Sequence, residues 1–153
     1  MIDANTPLDI DGLGPIKIGM KVKDAEKASG IKIKVENDLG DASCMYAHPS
    51  KGYDGLSFMV SNGRIARIDF ADKAANKTAA GAHIGMAEAE VKRLYPKPMK
   101  ITNEHYGDDF YLTIASADPK QKKLRYVFVT ENGKVSEFRS GREPEVEYTE
   151  GCD

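Results

Sequence analysis

Three histidines, two cysteines and one acidic cluster are the residues of this chain whose types could do chemistry. His48, His83 and His105 are scattered: no two stand at i, i+4 or at another ligand spacing, and none adjoins a cysteine at a zinc interval. His105 lies in the run from Asn103 to Asp109, with Glu104, Asp108 and Asp109 close by. Asp108 and Asp109 could take a divalent cation, or serve with His105 as acid and base. The same residue types are also what a glycine-containing turn between two strands uses. No nucleophile elbow, Walker loop or dinucleotide fingerprint is present. Gly12-Leu13-Gly14 leads into Pro15 and a strand, so no helix N-terminus follows it to cradle phosphate. The reading is therefore non-enzymatic, with no catalytic residue, no metal and no cofactor assigned.

Cys44 and Cys152 carry a different message. They form no Cys-x-x-Cys motif, one lies in the first half, and the other is the penultimate residue. Paired as a disulfide, they would pin the C-terminal tail onto the first half and stabilise the fold by about 4–5 kcal/mol in the chain-entropy account. A structural disulfide favours an oxidising compartment. Residues 1–5 have neither a basic nor an apolar leader segment, so a periplasmic or secreted location implies a leader already removed.

A length of 153 residues fits one domain, and 41% hydrophobic with 30% charged residues is an ordinary balance for a folded chain. A formal charge of −2 supplies no field for nucleic acid. The basic run from Pro119 to Arg125 lacks interleaved aromatics or glycines and reads as a solvated turn. No apolar run approaches the roughly 20 residues of a membrane helix, so no membrane span is expected.

The elements follow from a phrase that recurs. Ile18-Gly19-Met20 and Ile84-Gly85-Met86 each lead from an extended arm into a short helical pattern, stopped by Gly30 in one case and by Pro96 and Pro98 in the other. Strands are predicted after each: over 31–38, 43–48, 99–106 and 108–116, and in two hairpins, 56–70 and 124–138, turning at Asn62-Gly63 and Asn132-Gly133. The hairpins align without a gap, Phe58 on Phe128, and Ile65 and Ile68 on Val135 and Phe138. Both break alternation at the same place, as a bulge beside the turn would. The expected fold class is α+β: two tandem helix-plus-antiparallel-sheet repeats, 13–72 and 79–149, joined by a linker over 73–78.

The Ile-Gly-Met phrase, with Asp24 to Ala28 after one copy and Glu88 to Leu94 after the other, resembles beta-lactamase inhibitory protein and the small outer-membrane assembly lipoproteins. That resemblance implies an extracytoplasmic, non-catalytic module that binds another protein. The chain departs from the inhibitor in having one cysteine per half and no Trp, and from the lipoproteins in having no N-terminal lipobox cysteine.

The functional expectation is thus a periplasmic or secreted protein-binding module, inhibitor-like or immunity-like. Its contacts are expected on Tyr106 and Asp109 and on a loop carrying Arg139 and Arg142, since arginine and aromatic anchors dominate recognition. The alternative is a small-molecule or metal-ion binding protein of the cell envelope, with Tyr46, Tyr53, Tyr106 and Tyr111 as candidate walls. The sequence leaves the oligomeric state open. Thiol titration of the denatured, non-reduced protein is expected to find no free sulfhydryl; two would remove the disulfide and the argument for an oxidising compartment.

Overall fold

A computed structural model of the chain describes residues 2–36, 43–96, 99–103, 110–149 and 152. Its centre is built from the two hairpins. One pairs β6 (Leu56–Ser61) with β7 (Arg64–Ala71), the other β10 (Leu124–Glu131) with β11 (Lys134–Arg142). Both turn on Asn-Gly with positive φ at each residue, 52° and 80° in the first and 54° and 77° in the second, which two-residue hairpin loops require. Each ladder shifts register beside its turn, at Met59/Val60 and at Val129/Thr130, as the broken alternation predicts.

The hairpins join because β7 pairs antiparallel with β11, Phe70 opposite Phe138 and Asp69 opposite Arg139. Gly141 permits that close pairing: a Cβ there would lie 2.6 Å from the Ala66 carbonyl oxygen. On the outer sides stand β5 (Cys44–Pro49) and β4 (Ile33–Glu36) at one end, and β9 (Phe110–Ala115) and β8 (Met99–Asn103) at the other. The result is one eight-stranded antiparallel sheet in the order β4-β5-β6-β7-β11-β10-β9-β8.

This corrects the expected fold class. The chain is not a tandem pair of helix-plus-sheet units but mostly β. Among the described residues it has two α-helices, α1 (Val22–Ser29) and α2 (Glu88–Leu94), each about two turns long. They bury little, Ala25 and Ser29 from α1 and Val91 from α2, so they cannot form a layer of their own. The recurring phrase does specify a local clip. Gly19 N–H and Met20 C=O bond Ile65, and Gly85 N–H and Met86 C=O bond Val135 in the same way, so each helix starts against the turn of a hairpin. What local sequence does not contain is the β7–β11 pairing, which merges the two halves into a single sheet.

Alternation along the strands gives the sheet two faces. The first carries Phe58, Phe70, Phe128 and Phe138, all fully buried, with ring centroids 5.5 Å apart for Phe70–Phe138 and 5.9 Å for Phe128–Phe138. Burial of each such ring stabilises by about 1.5–3 kcal/mol. This face is covered by the helices and by a three-stranded arm, β1 (Leu8–Asp9), β2 (Gly12–Leu13) and β3 (Ile16–Lys17), which contributes Leu8, Leu13 and Ile16 to the core. Residues 73–78 are tied to the arm, with Asn76 Nδ2 donating to the carbonyls of Asp3 and Thr6.

The second face is covered by the C-terminal tail. Tyr111, Val127 and Val129 pack with Val146, and beside them two arginines leave solvent. Arg67 chelates Asp69 at 2.8 and 2.9 Å and donates to the carbonyls of Glu145 and Tyr148. Arg139, 3% exposed, donates to the carbonyls of Val146 and Tyr148 and lies 5.8 Å from the centre of the Tyr111 ring. Burial, with the neighbouring charge of Arg67, holds the Arg139 pKa below its usual value. The tail ends in the disulfide Cys44–Cys152, a closure over 108 positions.

Next to Arg139, the hydroxyl of Ser140 is buried on the opposite face with no hydrogen-bond partner. Adjacent substitutions are therefore expected to act in opposite directions in urea unfolding. Arg139→Met strips the Val146 carbonyl of its donor and the Tyr148 carbonyl of one of its two, and costs about 3 kcal/mol. Ser140→Ala leaves stability unchanged or raises it by about 1 kcal/mol.

Candidate functional site

A pocket of about 530 Å³ opens between the arm and the second-half end of the sheet. That lies within the size range of small-molecule sites. Its floor is Ile114 on β9 and Tyr126 on β10, and one wall is Tyr95, which ends α2 just before Pro96. The arm supplies the opposite wall with Asp9, Asp11 and Lys17.

Hydrogen bonds fix this arrangement. Tyr126 Oη donates to the Leu8 carbonyl at 2.7 Å, anchoring β1 to β10 and setting Asp9, the next residue, at the pocket. Tyr95 Oη donates to Thr78 Oγ1 at 2.7 Å, and its ring lies 5.4 Å from that of Tyr126, tilted by 52°. Burial raises the pKa of both phenols, and the charge of Asp9 adds to the effect, so both stay neutral. Lys17 Nζ is 3.6 Å from an Asp11 carboxylate oxygen. At the end of β9, Ser116 Oγ donates to Gln121 Oε1 at 2.8 Å. The pocket thus combines apolar floor, two aromatic rings and three charged groups.

A second hollow of about 440 Å³ lies at the first-half helix start, floored by Val35, Met45 and Val60 and edged by Lys21, Lys23 and Arg64. It offers apolar contact but few converging polar groups.

The residues singled out from sequence are distributed otherwise. Cys44 and Cys152 are bonded to each other. Arg139 and Arg142 lie on β11 rather than in a loop after it. The strand runs on because the tail buries its polar residues on one side and β7 pairs with it on the other. Arg139 faces the tail, and Arg142 is engaged by Glu145 Oε2 at 3.1 and 3.2 Å. Tyr106 and Asp109, together with Glu104, His105 and Asp108, lie outside the described residues. Of the candidate tyrosine walls, Tyr46 is exposed on β5, Tyr53 donates to the Ile2 carbonyl and Tyr111 sits under Arg139. The pocket tyrosines are instead Tyr95 and Tyr126, which the sequence reading did not single out as a site. One signal was available: Tyr126 occupies the hairpin position held by Leu56 in the other copy. Among the described residues no three His, Cys, Asp or Glu side chains gather as metal ligands, and no helix is long and apolar enough to cross a membrane.

No protein-family model matches the chain, and no curated protein matches it. Two solved structures share its fold. The uncharacterized protein yfeY from Escherichia coli is 17% identical with a TM-score of 0.55, over 90% of this chain and 100% of that one. An extracellular protein containing a SCP domain from Bacillus anthracis is 11% identical with a TM-score of 0.53, over 82% of this chain. The match spans 44% of that longer protein. At these identities the likeness is one of fold alone.

His48, on β5, gives a pH signature. Its Nδ1 donates to the Pro49 carbonyl at 3.0 Å and its Nε2 to Glu36 at 2.6 Å. These bonds, the backbone one first, raise its pKa above the ordinary 6.5. The stabilisation is complete below that unfolded value and is lost as pH rises through the higher folded one. Melting temperature is expected to fall more steeply as pH rises above 6.5 in the wild type than in His48→Gln. Parallel curves would show that the pair contributes nothing.

Proposed function

We propose that this chain is a non-catalytic binding protein of an oxidising compartment outside the cytoplasm, periplasmic or secreted, and that it holds a small molecule in the pocket between arm and sheet. The observation that carries the reading is the pocket itself, where aromatic walls and converging polar groups meet over an apolar floor. The Cys44–Cys152 disulfide supports the compartment. An inhibitor-like contact through Arg139 and Arg142 is less favoured, because one guanidinium is spent on the tail and the other on Glu145.

The test is a thermal-shift screen of small polar metabolites against the wild type and Ser116→Phe, which puts a ring at the pocket from the residue after β9, on the side of Ile114. Ligands that bind are expected to raise the wild-type melting temperature by several degrees at saturating concentration, with the shift abolished in the variant. Undiminished shifts in Ser116→Phe would place the site elsewhere. An envelope protein captured by the wild type and released by Arg142→Glu would restore the protein-binding reading.

A further inference from the structure

We infer that the ligand of this pocket carries an organic ammonium group, held by the Asp9 carboxylate against the rings of Tyr95 and Tyr126. This rests on the small-molecule reading above and specifies its chemistry. Three charged side chains line the pocket, Asp9, Asp11 and Lys17. Lys17 is matched by Asp11 at 3.6 Å, which leaves Asp9 as the unmatched charge. Asp9 is half-buried on β1 and, among the described residues, makes no ion pair or side-chain hydrogen bond of its own, while its neighbour Leu8 is clamped by Tyr126. The fold therefore sets a partly buried carboxylate at the pocket with its acceptor positions left to a partner from solution.

The walls narrow the choice of partner. Both phenols are neutral, and both have committed their O–H to the protein, to Leu8 O and Thr78 Oγ1. What they present is ring surface and oxygen lone pairs. Ring faces attract cations; the two rings pack on each other at 5.4 Å, tilted by 52°, and both border the pocket, Tyr95 being the more exposed. An anion would meet the charges of Asp9 and Asp11, against which the described lining residues set one cation, Lys17. A hard metal ion requires a cage of several oxygens, with no use for aromatic faces. An alkylammonium head fits all three elements: charge toward Asp9, methyl or methylene groups on the rings, any N–H toward the phenol oxygens.

The experiment is isothermal titration calorimetry of the full chain with two cations, choline and phenylethylammonium, each beside its uncharged isostere, dimethylbutanol and phenylpropane. Each cation is expected to bind at least about 10-fold tighter than its isostere, to weaken with added salt, and to lose about 10-fold in Asp9→Asn. Asp9→Asn keeps shape and leaves the Leu8 clamp intact, so its circular dichroism and melting temperature should match the wild type. Tyr126→Phe, which keeps the ring, should retain more affinity than Tyr95→Leu, which removes one. Equal affinity for cation and isostere, or indifference to Asp9→Asn, overturns the ammonium inference. If uncharged compounds bind and Ser116→Phe blocks them, the pocket reading survives that failure. If cations bind Ser116→Phe as tightly as wild type, both fall. No binding of either cation at millimolar concentration also overturns the inference.

Discussion

Two guanidinium groups taken out of water at the β7–β11 seam decide how the rest of the molecule is arranged. Burying an ion costs several kcal/mol even after relaxation, and an arginine brings five donors that each need an acceptor. Asp69 satisfies part of Arg67 in bidentate fashion. Four further bonds from the two guanidiniums go to the main-chain carbonyls of Glu145, Val146 and Tyr148, and Glu137 pairs with Arg139 at 3.6 Å. A segment must therefore cross the second face at this point, and the residues beyond it are then carried toward β5, where Cys44 meets Cys152. The tail, the disulfide and the continuity of the sheet across its two hairpins are answers to one electrostatic demand.

How much of this was legible beforehand depends on the range of each signal. Asn62-Gly63 and Asn132-Gly133 fix their turns through the φ values those residues tolerate, and the bulges follow from a break in alternation that any reader of the strands can see. The disulfide was legible by elimination, because two cysteines leave one pairing. Pairings between distant segments were not. Nothing local in Phe138 to Arg142 announces a central strand: arginine, serine and glycine together resemble a loop. They become a strand only when Gly141 admits β7 and the tail supplies acceptors to Arg139. Reading the recurring phrase as two helix-plus-sheet repeats of an α+β fold failed because the helices are too short to form a layer and the chain is mostly β.

The pocket was hidden by a similar gap between composition and placement. Tyr95 and Tyr126 were visible as aromatic residues at a helix end and in a strand. Their grouping with Asp9 depends on the arm folding back over β10, a contact between positions more than a hundred residues apart in sequence. Sequence periodicity reports which face of an element is apolar; it says nothing of which polar residue a distant segment will set at the edge of that face. The two solved structures with this fold leave that edge open as well, since at 17% and 11% identity they speak for the backbone path and not for side chains.

The clasp over the second face also orders events in time. Its bonds join residue 67 to residues 145 and 148, while the hairpin containing Arg67 needs only its own neighbours to form. Long-range contacts close last, because their loop entropy is recovered only after the intervening chain is ordered. During synthesis the first hairpin can therefore zip up with the Arg67 guanidinium still hydrated, and the second face stays wet until the tail has been made. Final desolvation of that face thus serves as a completion step. A chain truncated before Glu145 would lack Val146 and expose Tyr111, Val127 and Val129, an apolar patch on which chaperones and proteases act.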